Sequence, residues 1–238
     1  MSLKTMVKTA HSWVREARQF SVPKLPRECP ICGYKGIFLA HGKPSRWDGR
    51  CPNCGSRPRH RLVHLFLNER HIDLQDGRVI LHFAPERHLT RAMGNAPNYH
   101  TADLVPGKAR HAMDMADIKF SDQSIDLVIA NHVLEHVPDD QKALREMFRV
   151  LRKGGFALIT VPQNWAREET YENAEANKAS DTRYAHYLDA DHIRFYGRDF
   201  GNRLGEAGFR VECWRLPREK EVRYGLEHDE VVWLGWKD

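Results

Sequence analysis

From residue 78 onward the chain alternates short apolar runs with helix-patterned stretches. No other sequence feature constrains the fold as tightly. Residues 79–83, 99–104, 125–130 and 156–161 read as strands. Residues 87–93 and 140–151 read as helices. In the second, Ala143, Leu144, Met147, Val150 and Leu151 fall on one face. Lys153-Gly154-Gly155 is expected to close that helix with a glycine cap, and Pro162 to stop the strand that follows. A helix over 198–207, capped by Gly208, and strands over 209–214 and 231–236 complete the pattern. Strands alternating with helices in this way predict an α/β fold with a doubly wound, mostly parallel sheet.

Ahead of this region stand two cysteine pairs, Cys29-Pro-Ile-Cys32-Gly and Cys51-Pro-Asn-Cys54-Gly, with 18 residues between them. That spacing belongs to four-thiolate zinc sites. Two thiolates two residues apart can hold one ion only if the chain turns sharply. Pro30 and Pro52 set up the turn, and Gly33 and Gly55 permit the positive φ that follows. Cys29, Cys32, Cys51 and Cys54 are therefore the expected Zn2+ ligands, in a closed site whose role is structural. Two disulfides would need an oxidising compartment, and the first 20 residues hold no continuous apolar stretch of the kind a secretory signal needs. Cys213 is expected to be a small buried hydrophobe.

The domain plan follows: an N-terminal helix and connector over 1–27, a zinc-ribbon module over 28–59, and the α/β domain over 60–238. Hydrophobic residues make up 41% of the 238-residue chain and charged residues 29%, which suits a globular protein. No apolar run reaches the roughly 18 residues of a membrane helix, so no membrane association is expected and a cytoplasmic location is. A net charge of +5 without a block of basic residues permits an anionic partner and does not demand one.

Residues 163–194 form a polar stretch rich in Glu, Asn, His and Tyr. A connection of that length is an insertion or lid over a site, or else a solvated helix over 167–179. In a doubly wound sheet, ligands bind outside the carboxyl ends of the strands. The first strand ends in His82-Phe83-Ala84-Pro85-Glu86 and lacks G-x-G-x-x-G, which argues against a dinucleotide. Ala84 keeps the turn small, and Glu86 would repel a pyrophosphate but welcome an ammonium. Asp103, 19 residues after Ala84, ends the second strand and can accept from ribose hydroxyls. A cofactor with a ribose, a positive charge and no pyrophosphate is implied, and S-adenosylmethionine fits.

Several segments carry a resemblance. They are residues 79–86, Thr101-Ala102-Asp103-Leu104, residues 113–120, residues 120–128, Asn131-His132-Val133-Leu134-Glu135-His136-Val137, and Arg149-Val150-Leu151-Arg152-Lys153-Gly154-Gly155. Over about residues 78–214 the chain resembles class I S-adenosylmethionine-dependent methyltransferases of the type 11 domain group, with a Rossmann-like sheet. The first motif departs from the family's glycine-rich loop. The resemblance implies that Ala84 and Glu86 line the methionine end and that Asp103 holds the ribose. It implies that Asp114 accepts from the adenine amino group, that the Met115 backbone meets the ring, and that Asn131 and His132 border the sulfonium.

His132, His136 and His192 are the candidate catalytic bases, because an imidazole titrates near working pH; Glu135 is a lesser candidate. Tyr184, Tyr187, His192 and Arg194 are expected to face the acceptor. The expected activity is methyl transfer to a small polar metabolite or saccharide. One alternative is RNA, with Arg57, Arg59, His60 and Arg61 as a phosphate-contacting arm. Another is a non-catalytic, cofactor-binding interaction protein. The basic cluster is short and lacks interleaved aromatics, which favours the small-molecule or glycan acceptor.

Overall fold

The computed structural model describes residues 25–42 and 46–238. The expected helix over residues 1–20 lies outside the described residues. Two small hairpins open the described chain: β1 (Arg27–Glu28) with β2 (Lys35–Gly36), and β3 (Leu39–His41) with β4 (Arg46–Arg50). Helix α1 (Pro58–Glu69) then leads into the α/β region.

That region is built on β5 (Ile80–Phe83), α2 (Arg87–Met93), β6 (Tyr99–Asp103), β7 (His111–Ala112), β8 (Ile125–Asn131), α3 (Asp140–Val150) and β9 (Leu151–Thr160). After the insertion come α5 (Phe200–Glu206), β12 (Arg210–Trp214), α6 (Arg218–Tyr224) and β13 (Val232–Trp236). The seven-stranded sheet runs in the order β12-β13-β9-β8-β5-β6-β7. Strands β5 to β9 pair in parallel, and β13 is antiparallel to both of its neighbours. From β5 the chain adds β6 and β7 on one side, then crosses to add β8 and β9 on the other. The switch point therefore lies between β5 and β8, and a ligand crevice is expected outside their carboxyl ends.

Period-two patterning explains the two layers of core. Leu81 and Phe83 of β5 join α3 and α5 through Ala143, Leu144, Phe200 and Leu204. Ile80, on the other face of the same strand, joins α1 and α2 through Leu62, Val63, Phe66 and Leu89. Helix α3 starts where Asp139 accepts from the Lys142 amide at 2.8 Å.

Three local expectations are corrected. Helix α3 ends at Val150 without a glycine cap, because Leu151 is already extended (φ −67°, ψ 140°) and begins β9. Gly154 (φ +78°) and Gly155 instead serve an irregularity in that strand, where pairing with β8 shifts register between Ile125 and Leu127. A Cβ on Gly155 would stand 2.8 Å from the Asp126 carbonyl oxygen. Residues 167–179 are not a helix: β10 (Tyr171–Glu172) pairs with β11 (Arg194–Phe195), and a 3-10 turn (Ala176–Lys178) and α4 (Ser180–Tyr187) lie between them. Cys213 is exposed, because it sits on β12, the edge strand of the sheet.

Candidate functional site

The four paired cysteines converge. Their ligand atoms lie within 4.8 Å of one another. Cys29 Sγ is 3.6 Å from Cys54 Sγ, and Cys32 Sγ is 3.7 Å from Cys51 Sγ. Sulfurs bound tetrahedrally at about 2.3 Å from one zinc stand about 3.8 Å apart, whereas a disulfide needs about 2 Å. The donor set therefore fits zinc. Both knuckles are built alike. The Gly33 amide donates to the Cys29 carbonyl at 2.9 Å, the Gly55 amide to the Cys51 carbonyl at 3.0 Å, and each glycine takes φ just above +70°.

Along the carboxyl edge of the sheet, Ala84 follows β5, Asp103 ends β6, Asp114 and Met115 follow β7, and Asn131 ends β8. Ala84 occupies φ +46°, the left-handed region that favours glycine, at the turn that leaves β5. Asp103 and Asp114 each spend one carboxylate oxygen on a turn, accepting from the Val105 and Ala116 amides at 2.8 Å. Beside Asp103, Leu104 and Val105 are exposed apolar side chains, 71% and 46% accessible. Glu86 is held by His82 (Nε2 to Oε2, 3.1 Å) and by the Asn131 amide, and Thr160 in turn donates to Asn131. Burial would raise the Glu86 pKa, but the hydrogen bond with His82 holds it below the usual carboxylate range. An acidic edge with adjoining exposed apolar surface fits a cationic, ribose-bearing cofactor.

The loop after β8 gathers the second set. His132 sits in the left-handed region (φ +56°), a strained place for a side chain of its size. Its Nδ1 is 3.3 Å from Glu135 Oε1, and its Nε2 is 3.3 Å from Glu230 Oε1. Burial disfavours a charged imidazole here, yet the two carboxylates outweigh it and raise the His132 pKa. Glu135 is fully buried. Burial pushes its pKa up, while His132, His136 and His192 bring it below the usual range. His136 Nε2 and His192 Nε2 stand 3.9 and 3.8 Å from the same Glu135 oxygen. The structure thus brings His132, His136 and His192 together, with Glu135 at their centre.

Sequence reasoning missed Glu230, which reaches His132 from the loop before β13 with no local motif to announce it. It also mistook three side chains. Arg194 is 1% exposed and donates to the carbonyls of Leu134, Val137 and Pro138 and to Glu172, so it holds the 134–138 turn and does not face an acceptor. Tyr187 is 1% exposed and packs against Tyr171 and Phe195. Arg61 is fully buried, so it cannot reach a phosphate. It donates to the carbonyls of Ser56, Gly49, Tyr224 and Gly225 and lies over the Phe38 ring. His60 stacks on His88 with ring centroids 4.7 Å apart and lies 3.9 Å from Glu86. The basic arm therefore loses two of its four members.

A cavity of about 460 Å³ opens where the cysteine module meets the loop after β5, lined by Arg57, Arg59, His60, Glu86, Arg87 and His88 among others. A second, of about 600 Å³, lies at the opposite edge of the sheet by Arg78, Asp126 and Gly155. The chemistry-bearing side chains gather at the first of these edges.

Residues 77–159 match the family model described as a methyltransferase domain. A phosphatidylethanolamine N-methyltransferase of Cereibacter sphaeroides is 35% identical over 66 residues, which cover 28% of this chain and 32% of that protein. A trans-aconitate 2-methyltransferase of Variovorax paradoxus is 31% identical over 116 residues, which cover 47% of this chain and 44% of that protein. The chain thus spans less than half the length of these relatives. Among solved structures, an S-adenosylmethionine dependent methyltransferase from Mesorhizobium loti aligns with a TM-score of 0.46 at 16% identity, over 70% of this chain and 93% of that one. By the matched model the segment 77–159 is similar to a methyltransferase domain, and by its strand order the sheet that contains it is Rossmann-like.

Proposed function

We propose that this chain is an S-adenosylmethionine-dependent methyltransferase acting on a small polar metabolite or a saccharide. The observation that carries the reading is the pairing of an acidic cofactor edge (Glu86, Asp103, Asp114) with the Glu135-centred histidine cluster, which begins one residue after Asn131. When bound, S-adenosylmethionine supplies a methyl group made electrophilic by its sulfonium. Asp103 would hold the ribose, Asp114 and the Met115 backbone the adenine, and Ala84 and Glu86 the methionine end. Asn131 and His132 would border the transfer position. There the chain's task is to align an acceptor in line with the methyl group, and such alignment is worth about 7–11 kcal/mol. His136 and His192, partly accessible at the cluster's rim, would receive the acceptor and its proton, with His132 set between Glu135 and Glu230 behind them.

Zn2+ on Cys29, Cys32, Cys51 and Cys54 would hold the 28–59 module, and residues 163–194 would wall the acceptor side of the 60–238 domain. RNA is the less favoured acceptor, because Arg61 and His60 are taken by internal contacts. The test is transfer of labelled methyl from S-adenosylmethionine to cell extract divided into low-mass, glycan and RNA fractions. Label in the low-mass or glycan fraction supports the reading. Label lost on ribonuclease treatment moves the acceptor to RNA. Tight cofactor binding with no transfer to any fraction leaves a cofactor-binding module.

A further inference from the structure

We propose that Glu135, His136 and His192 form a site for a divalent transition-metal ion. Glu135 is fully buried, and neither of its carboxylate oxygens has a hydrogen-bond partner among the described residues. Even His132 Nδ1, at 3.3 Å, lacks the alignment of a hydrogen bond. A buried carboxylate left in this state is costly unless something else satisfies it. One ligand atom from each of Glu135, His136 and His192 lies within 4.8 Å of the other two. Donors about 2.1 Å from one ion stand at most about 4.2 Å apart, so closing on an ion requires side-chain shifts of about 1 Å or less.

The surroundings match what a metal site requires. His136 Nδ1 is 3.0 Å from the Asp191 carbonyl oxygen and donates its proton there, which leaves the Nε2 lone pair, 3.9 Å from Glu135 Oε1, available to an ion. Metal-bound histidines are oriented in this way by a carbonyl partner on the other nitrogen. The Ile193 amide donates to the Glu135 carbonyl at 3.0 Å, so the segment carrying His192 is tied to the turn carrying Glu135. Arg194 braces the same turn from behind. Asp189 Oδ2, 3.9 Å from His192 Nε2, is a further oxygen at the rim, and the His136 side chain is 40% exposed, which gives an ion a way in.

Two imidazoles and one carboxylate suit Mn2+, Fe2+, Co2+ or Zn2+ better than Mg2+ or Ca2+. Three protein ligands on one side leave coordination positions open. Those positions would take hydroxyl or carboxylate oxygens of the acceptor. This use rests on the methyltransferase reading, in which a bound ion would take the place of proton acceptance by His136 and His192, but the site itself does not.

Mn2+ is the probe, because a four-thiolate site discriminates against it. The full-length, zinc-loaded protein is titrated with Mn2+ and followed by electron paramagnetic resonance, with metal content measured after desalting. Wild type is expected to hold one Mn2+ beyond its thiolate-bound zinc. Glu135→Gln and His192→Ala should each weaken Mn2+ binding at least about tenfold. If Glu135→Gln does not fold, His192→Ala and His136→Ala, at more accessible positions, decide the matter. Wild type that takes up no Mn2+, or variants that bind it like wild type, overturns the proposal. S-adenosylmethionine calorimetry on the same samples separates the two readings. Cofactor binding without Mn2+ binding refutes the metal site alone, and Mn2+ binding without cofactor binding refutes the methyltransferase reading alone.

Discussion

Arg194→Met tests whether the histidine cluster is held in place from behind. The guanidinium lies 2.9 Å from the Leu134 and Pro138 carbonyl oxygens, donates also to Val137, and reaches Glu172 Oε1 at 2.9 Å. Glu172 is 42% exposed, so that ion pair is screened and contributes little. The three carbonyls are the main loss. Each buried acceptor left without a donor costs about 1–3 kcal/mol, and removing one partner from a buried charged network costs about 3–5 kcal/mol in all. Water entering the gap would keep the sum near the lower figure for each carbonyl, so about 3–5 kcal/mol is expected. For a domain of this size that lowers the melting temperature by about 6–20 °C. Scanning calorimetry and urea unfolding would measure it, and cofactor calorimetry should show affinity within about twofold of wild type. Methyl transfer should fall, because the 134–138 turn carries Glu135 and His136. A melting temperature within about 2 °C of wild type would refute the bracing role, and a large loss of cofactor affinity would mean that Arg194 acts on the other half of the site.

Three further outcomes are expected. Asp103→Ala should weaken S-adenosylmethionine binding by about 1–3 kcal/mol without unfolding the protein, and equal calorimetric affinity would move the ribose site elsewhere. Metal analysis should find one zinc per chain, released on Cys32→Ser, and cysteines that prove disulfide-bonded or freely reactive in the purified protein would exclude it. Burial drives the His60 pKa down to about 3, so the folded state resists protonating it and stability should fall as pH drops below about 6.5. Between pH 7 and pH 5 the loss from this residue is about 2 kcal/mol. Urea unfolding of His60→Asn should show a shallower acid slope than wild type, and an unchanged slope would mean that His60 titrates freely.

What could be read in the sequence follows the range of the interactions involved. The cysteine knuckles are set within five residues each, by proline and glycine at fixed offsets, and Gly33 and Gly55 take the positive φ that this implies. Strands β5, β8 and β9 are buried runs that announce themselves by apolarity alone. Strand β7, only His111–Ala112, has too few residues to carry a pattern. The reversed direction of β13 depends on the path of residues 215–231 and leaves no periodic trace. His132, His136 and His192 are each visible as isolated imidazoles. That they surround Glu135 is a tertiary fact, made by the Ile193 amide and by Glu230 arriving from far along the chain. Arg61 and Arg194 mislead for a common reason: arginine reads as surface, and nothing local says that backbone carbonyls from distant segments will surround it.

The burial of Arg61 bears on what the cysteine module does. Four thiolates around one Zn2+ carry a net charge of −2; burial lowers the Arg61 pKa to about 10, and the nearby Cys29 and Cys51 thiolates oppose that shift. Its guanidinium also bonds Gly49 and Ser56 of the module on one side and Tyr224 and Gly225, at the end of α6, on the other. Arg61 and His60 are adjacent on α1, and His60 lies against Glu86 in the loop that follows β5. Arg61 therefore ties the module to the end of α6, beside Arg27, which donates to the Val222 carbonyl, and the Glu28–Arg223 pair, and its neighbour His60 on the same helix meets the loop proposed for the methionine end. Loss of metal would leave Arg61 buried without its anionic neighbours, at a cost that falls on the His60–Glu86 contact as well. Chelation should for this reason weaken cofactor binding, even though no cysteine stands on the carboxyl edge of the sheet. A module that merely decorated the domain would leave cofactor affinity unchanged on removal of zinc.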